Sequence, residues 1–427
     1  MNEQTFVLKG TICYSNSLTE LSITENGYLV CEDGRCAGVF DELPEKFAGI
    51  SCTDFGDELI IPGLTDLHLH APQYTFRASG MDLELLDWLN TYTFPQEARY
   101  EDTEFAKEAY SIFTEDMKKS PNTRACIFGT LHVPATEILM EQLDKTGIKA
   151  MVGKVNMDRN GSPQLQEESA QASADATIQW IEDTLDKFEN VKPILTPRFT
   201  PSCSDELMEK LSEIQKRYHL PMQSHLSENF GEIAWVKELC PWSEFYGDAY
   251  DRFGLFGADC KTVMAHCVYS GKEERQRMKE NGVFIAHCPE SNMNLSSGVA
   301  PVRTFLKEGL HVGIGSDVAG GSTENLFKAM ALAIQASKLR WRMQDDSLKP
   351  LTLEEVFYIA TKGGGEFFGN VGSFEPGFEL DAVVLNDTRI VHSQNLDVRA
   401  RLERMIYLAD EREVRAKYVR GREICLQ

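Results

Sequence analysis

Cysteine pairs at metal or redox spacing are missing from this sequence. Its 427 residues include 11 cysteines, yet no C-x-x-C occurs. That excludes zinc ribbons, thioredoxin-type chemistry and the P-C-x-x-C half of the nucleotide-deaminase zinc signature. Positive charge is also scarce: 43 Lys and Arg stand against 66 Asp and Glu, for a net charge of −23. Such a field repels phosphate backbones and anionic lipid, so nucleic acid and membrane surfaces are not expected as partners. No apolar run approaches the roughly 18 residues of a membrane span. The opening "MNEQTFVLKG" has no basic stretch leading into an apolar core, so no signal peptide is expected. There is no G-x-S-x-G nucleophile elbow and no G-x-x-x-x-G-K-[ST] phosphate loop. Internal repeats and low-complexity segments are absent as well.

An odd number of scattered cysteines, with Cys126, Cys267 and Cys288 inside apolar strand-like runs, reads as buried reduced thiols and favours the cytoplasm. The length suits one large barrel with a smaller module. Short apolar runs recur at 59–70, 125–133, 148–157, 191–199, 221–228, 261–267, 283–292 and 311–317. Helix-period segments such as "DELMEKLSEIQKRYH" and "KEERQRMKENG" lie between them. Strands alternating with helices imply parallel βαβ units, and eight of them predict a closed (β/α)₈ barrel. An open doubly wound sheet is the alternative, but no G-x-G-x-x-G follows the first strand. The polar, Ala-rich stretch 162–176 reads as a loop running into a helix. Residues 5–58 read as short strands and turns, and "ELDAVVLND" and "REVRAKYVRGREI" as strands again, so both flanks are expected to form one small β module. The expected division is 1–60 for the N-terminal part of that module, 61–370 for the barrel and 371–427 for its C-terminal part.

In a barrel the functional groups sit where strands end. The first run ends Asp66-Leu67-His68-Leu69-His70, and alternation puts 66, 68 and 70 on one face. The second run contributes His132, the fourth Arg198, the fifth His225, the sixth His266, the seventh His287 and the eighth Asp317. An H-x-H pair with a further histidine and a strand-end aspartate, in barrel order, points to a metal site. Histidine nitrogens with one carboxylate oxygen suit zinc, and iron(II) accepts the same set. A bound metal lowers the pKa of water toward about 7. Glu228, in "HLSEN", is placed to shuttle a proton beside such a site; otherwise it is an acid favoured at a helix start. His132 and His287 are candidates for pocket lining. His219, His311 and His392 read as ordinary fold histidines.

The motifs "PGLTDLHLH", "SHLSEN", "VMAHC", "AHCPESN" and "GIGSDVAGG" resemble the amidohydrolase superfamily. "APQY", "LLDWLNTYTFPQEAR", "GKVNMD" and "TPRFTPSCS" resemble its guanine deaminases in particular, over nearly the whole chain. The resemblance implies a distorted (β/α)₈ TIM barrel with a β-sandwich built from both termini, often as a homodimer. It implies one metal, usually zinc, on His68, His70, His225 and Asp317. His266 then bonds the attacking water or the developing oxyanion, and Glu228 is the proton shuttle. Gln73, Arg198 and Phe199 match the base-contacting positions, beside His225 and Glu228. Hydrolysis of guanine to xanthine and ammonia follows, with Asp317 taking the water's proton. Trp88, Tyr92 and Phe94 are expected to cover the pocket. Two-metal relatives carry a modified lysine at the mouth of the fourth strand, whereas Lys192 begins that strand here. Glu290, where an amide is expected, and Gly129 depart from the pattern. A pterin, cytosine, triazine or adenosine-type deaminase, or a non-catalytic scaffold, are the competing readings.

Overall fold

The computed structural model describes residues 5–426. Residues 1–4 and 427, which the expected 1–60 and 371–427 segments include, lie outside the described residues. Eight parallel strands form one sheet. In chain order they are Leu64–His70, Asn122–Phe128, Lys149–Gly153, Val191–Pro193, Met222–Leu226, Thr262–His266, Phe284–His287 and His311–Ile314. Each pairs with its neighbour in sequence except Val191–Pro193 with Met222–Leu226, and Ile314 pairs back to Asp66. A bridge from Leu195 to Met222, with Gln223 N donating to Leu195 O at 2.9 Å, closes the cylinder. The expected barrel is therefore present, and its interior is filled by apolar side chains including Leu67, Ile194, Val263 and Ala286.

Two of the apolar runs do more than one job. The run 59–70 is cut at Gly63: Leu59–Pro62 pairs with Ala382–Leu385 in a second sheet, and the barrel strand starts at Leu64. A Cβ at Gly63 would lie 2.2 Å from Thr123, so only glycine allows this crossing. The runs 148–157 and 191–199 each break after the barrel strand. Their continuations, Val155–Asn156 and Thr196–Pro197, pair with each other in a separate two-stranded ladder. This distortion carries the chain toward the mouth and delivers Arg198 and Phe199 there.

The terminal strands form a seven-stranded sheet in the order Arg422–Ile424, Val414–Val419, Ala382–Leu385, Cys52–Pro62, Phe6–Ser17, Glu20–Glu32, Arg35–Phe40. The N-terminal strands are longer than the sequence pattern suggests, up to 13 residues in Glu20–Glu32. Between the C-terminal strands lies a helix, Val398–Leu408, capped by Asp397, which the pattern did not reveal. Buried polar ties lock this sheet to the barrel. Arg124 donates to Asp381 through Nε at 2.6 Å and Nη2 at 3.0 Å, and the buried Lys417 ammonium donates to the carbonyls of Met117, Ser120 and Asn122.

Helix starts follow their capping residues. Ser169 caps Ala170–Thr184, as the loop-into-helix reading of 162–176 requires, and Ser204 caps Asp205–Tyr218. Nine of the cysteines are buried thiols outside any disulfide. Among the described residues no helix is long and apolar enough to cross a membrane.

Candidate active site

The first strand is buried along its whole length, and past a register irregularity between Asp66 and Leu69 its end carries His68 and His70 to the mouth, with Asp66 just before them. At the mouth these meet the ends of the fifth, sixth and eighth strands. His68 Nε2 lies 3.2 Å and His70 Nε2 3.6 Å from Asp317 Oδ1, and His70 Nε2 lies 3.2 Å from His225 Nε2. Ligand atoms of His68, His70 and Asp317 all fall within 4.8 Å of one another, as do those of His68, His225 and His266, and those of His266, Cys288 and Asp317.

The donor set fits a divalent cation. His68 Nε2 is buried and makes no hydrogen bond. His225 Nδ1 lies 2.6 Å from the carbonyl of Arg198, which fixes the proton on Nδ1 and leaves Nε2 as a lone-pair donor. Burial, then the neighbouring rings, hold His70 and His225 well below the usual imidazole range, and burial lowers His68. Neutral imidazoles are what a metal requires. Asp317 is pulled the other way: burial alone would raise it, but His68 beside it outweighs that and holds the carboxyl at about 2. The Phe128 ring packs within 5.0 Å of His68, His70 and His225 (centroid to centroid) and keeps the floor of the cluster apolar.

His266 differs from the other rings. Its Nδ1 faces Asn292 Oδ1 at 2.9 Å and its Nε2 faces Glu228 Oε2 at 3.3 Å. Asn292 Oδ1 accepts, so Nδ1 donates, while Nε2 shares its space with the Glu228 carboxyl. Burial opposes a charge on the ring, but the Glu228 and Asp317 carboxylates outweigh it and raise the ring. Burial in turn pushes Glu228 up to about 7. The two groups together keep a proton at hand near neutral pH. Glu228 is steadied by Ser297 Oγ, which donates to Oε1 at 2.9 Å, and its own N–H donates to Glu232.

These groups open into a pocket whose empty space, counted out to solvent, is about 430 Å³. Gln73, Arg198 and Phe199 line it with His70, His225, Glu228, His266 and Asp317. The segment after the first strand folds across it. Leu85–Trp88 is helical, Leu89–Thr93 widens into a π turn and Phe94–Ala98 resumes the helix. Pro95, lacking an N–H, accounts for the interruption. Of the three aromatics expected here, Trp88 lines the pocket. Phe94 instead packs behind it, its ring 5.1 Å from the Arg198 guanidinium, and Tyr92 is partly exposed.

His132 and His287 do not line the pocket. His132 precedes the helix Val133–Thr146 without a side-chain capping bond, and His287 is buried in the barrel. His219 ends a helix in the left-handed region, His311 is exposed beside Glu366 and His392 is exposed in a loop. Lys192 donates to the carbonyls of Leu185 and Phe188, away from the mouth. Glu290 accepts from Lys328 and Ser322 outside the pocket. Sequence reasoning missed Asn292, Ser297, Glu232, Phe128 and Glu97. Asn292 and Glu97 lie inside quoted motifs, but none of the five has a spacing signal that assigns its role.

The amidohydrolase family profile matches residues 59–424. The guanine deaminase of Rattus norvegicus is 41% identical over 379 residues, covering 86% of this chain and 83% of that protein. That of Dictyostelium discoideum is 35% identical over 98% of both. A crystal structure of guanine deaminase from C. acetobutylicum with guanine bound superposes with a TM-score of 0.96 at 47% identity, covering 99% of this chain and 100% of that one. With barrel, mouth geometry and sequence match all agreeing, the chain belongs to the amidohydrolase family.

Proposed function

We propose that this chain is a guanine deaminase, hydrolysing guanine to xanthine and ammonia. The observation that carries the reading is one pocket holding both a metal-type donor cluster and two planar polar groups, Gln73 and Arg198, able to read a purine edge. Relatives named for this activity at 35–41% identity support it.

His68, His70, His225 and Asp317 would hold one zinc ion, with iron(II) the alternative. When bound, that ion acidifies a water so that it can attack C2 at neutral pH. Asp317 takes the water's proton. Glu228 carries a proton to a ring nitrogen and then to the amine, which leaves as ammonia. His266 is assigned outside the ligand set: its Nδ1 is held by Asn292, and its Nε2, beside Glu228, bonds the oxygen that becomes negative in the tetrahedral state. Arg198 can only donate, so it suits the carbonyl at C6 of guanine and opposes the amine that adenine carries there. Phe199 packs one face of the base.

The cytoplasmic assignment rests on the scattered buried cysteines, the division at 1–60, 61–370 and 371–427 on the pattern of strands, and the homodimer in purine breakdown on the resemblance. The test of the main reading is an ultraviolet assay of guanine loss with parallel ammonia release, on protein of measured metal content. Stoichiometric ammonia and xanthine are expected. Turnover of a pterin, cytosine, a triazine or an adenosine derivative in place of guanine would overturn it.

A further inference from the structure

Glu97 stands one layer behind the pocket and is 2% exposed. Its carboxylate gathers the two groups assigned to the base. Gln73 Nε2 donates to Oε1 at 2.8 Å, Arg198 Nη2 donates to Oε1 at 3.0 Å, and Arg198 Nη1 donates to Oε2. The far end of the Gln73 amide accepts from Ala319 N at 3.1 Å. Gln73 and Arg198 are themselves buried.

We propose that Glu97 is the positioning residue that sets which base the pocket accepts. The inference rests on the guanine reading above. A fork-to-fork pair fixes the plane of the guanidinium, so the N–H groups left over point in set directions. The Gln73 amide has two orientations in principle. Here its NH₂ end faces a carboxylate and its oxygen faces a backbone N–H, so one orientation is selected. The charge of Arg198 is also cancelled locally, and the pocket presents aimed donors without a net cation. A neutral ring with a carbonyl acceptor matches such a wall, whereas an amine in that place meets donor against donor. Glu97 belongs to Phe94–Ala98, continuous with the segment whose Leu85, Trp88 and Leu89 line the pocket. Seating this cover and aiming the base-reading donors are therefore one packing event. Glu97 is outside the pocket wall and touches no reacting atom, so it acts through Arg198 and Gln73.

The test compares two ligands in the metal-loaded enzyme. Guanine carries the C6 oxygen, whereas 2-aminopurine keeps the ring and the C2 amine but lacks that oxygen. In Glu97→Gln the replacement amide turns a donor toward the guanidinium. KM for guanine is expected to rise about 10-fold or more, with kcat changed less than about 3-fold and the competitive Ki of 2-aminopurine shifted less than about 3-fold. Glu97→Asp, which keeps the charge and both oxygens, is expected to recover part of the guanine efficiency. Metal content and thermal unfolding report on folding, and if Glu97→Gln does not fold, Glu97→Asp carries the same two-ligand comparison. An unchanged guanine KM, or equal weakening of both ligands, would overturn the proposal. Failure of the wild-type enzyme to deaminate guanine is a separate result that removes the functional reading itself.

Discussion

Glu228 Oε2 lies 3.3 Å from His266 Nε2, and both side chains are buried at the mouth of the barrel. An acid raised to about 7 by burial sits against an imidazole raised by carboxylates. A proton can be lent and recovered at such a pair with little driving force lost. Neither group is needed to hold the cation in the proposed set, so the two functions separate by mutation. Glu228→Gln is expected to lower kcat by about 10²-fold or more while metal content stays at the wild-type level. Kinetics with metal analysis on one preparation check this, and a wild-type rate would remove Glu228 from proton transfer.

The Arg198–Glu97 pair makes a different prediction, about stability. Arg198→Ala leaves the Glu97 carboxylate buried without its main partner. That is expected to cost about 3–5 kcal/mol in urea unfolding, besides lowering guanine efficiency. Removing both charges in an Arg198→Ala, Glu97→Ala variant should recover much of the stability and none of the guanine efficiency. If the double variant is no more stable than Arg198→Ala alone, the unpaired carboxylate is not the source of the loss.

The strand-end groups were legible because a barrel imposes a simple rule. His68, His70, His225, His266 and Asp317 each close an apolar run, and parallel strands send all such ends to one mouth. Leu67 and Leu69, which alternate with the histidines, are fully buried, Leu67 among the side chains that fill the barrel and Leu69 in the main core. Glu97 was not legible. Its role exists only because the segment after the first strand folds back over the mouth, and a lone carboxylate between glutamine and alanine carries no periodic signal. The helix Val398–Leu408 was hidden by its position between strands of the terminal sheet. Gly129, an oddity in the sequence, has a plain cause in three dimensions: a Cβ there would lie 2.8 Å from the carbonyl of Gly153 on the next strand. That is a packing requirement between neighbours that no single stretch of sequence displays.

His287 gives a pH-dependent prediction. Burial lowers it to about 3, and its Nδ1 has no hydrogen-bond partner. The unfolded chain has an ordinary imidazole near 6.5. As pH falls below that value the unfolded state takes up a proton that the folded state refuses, so stability is full above about 6.5 and is lost progressively toward about 3. The wild-type protein should lose about 1.4 kcal/mol more per pH unit than His287→Asn between roughly pH 6 and pH 4. Urea titrations at several pH values measure the slopes, and parallel slopes would show that His287 is protonated in the folded protein.

The orphaned Nε2 of His68 leads to the last expectation. Three neutral imidazoles and a carboxylate converge in a buried space, with His70 Nε2 only 3.2 Å from His225 Nε2. A cation that binds this arrangement only in the folded state stabilises it by mass action, about 2.7 kcal/mol at a hundredfold excess over Kd. Stripping the protein with a strong chelator should therefore lower the melting temperature as well as abolish deamination. Re-addition of zinc should restore both at one ion per chain, and His68→Ala should remove the melting response to zinc while the barrel remains folded. The thermal shift is the sharper measurement, because it needs no substrate. A stripped protein that melts as the loaded one does, and a His68→Ala variant that responds to zinc like the wild type, would together place the cation elsewhere.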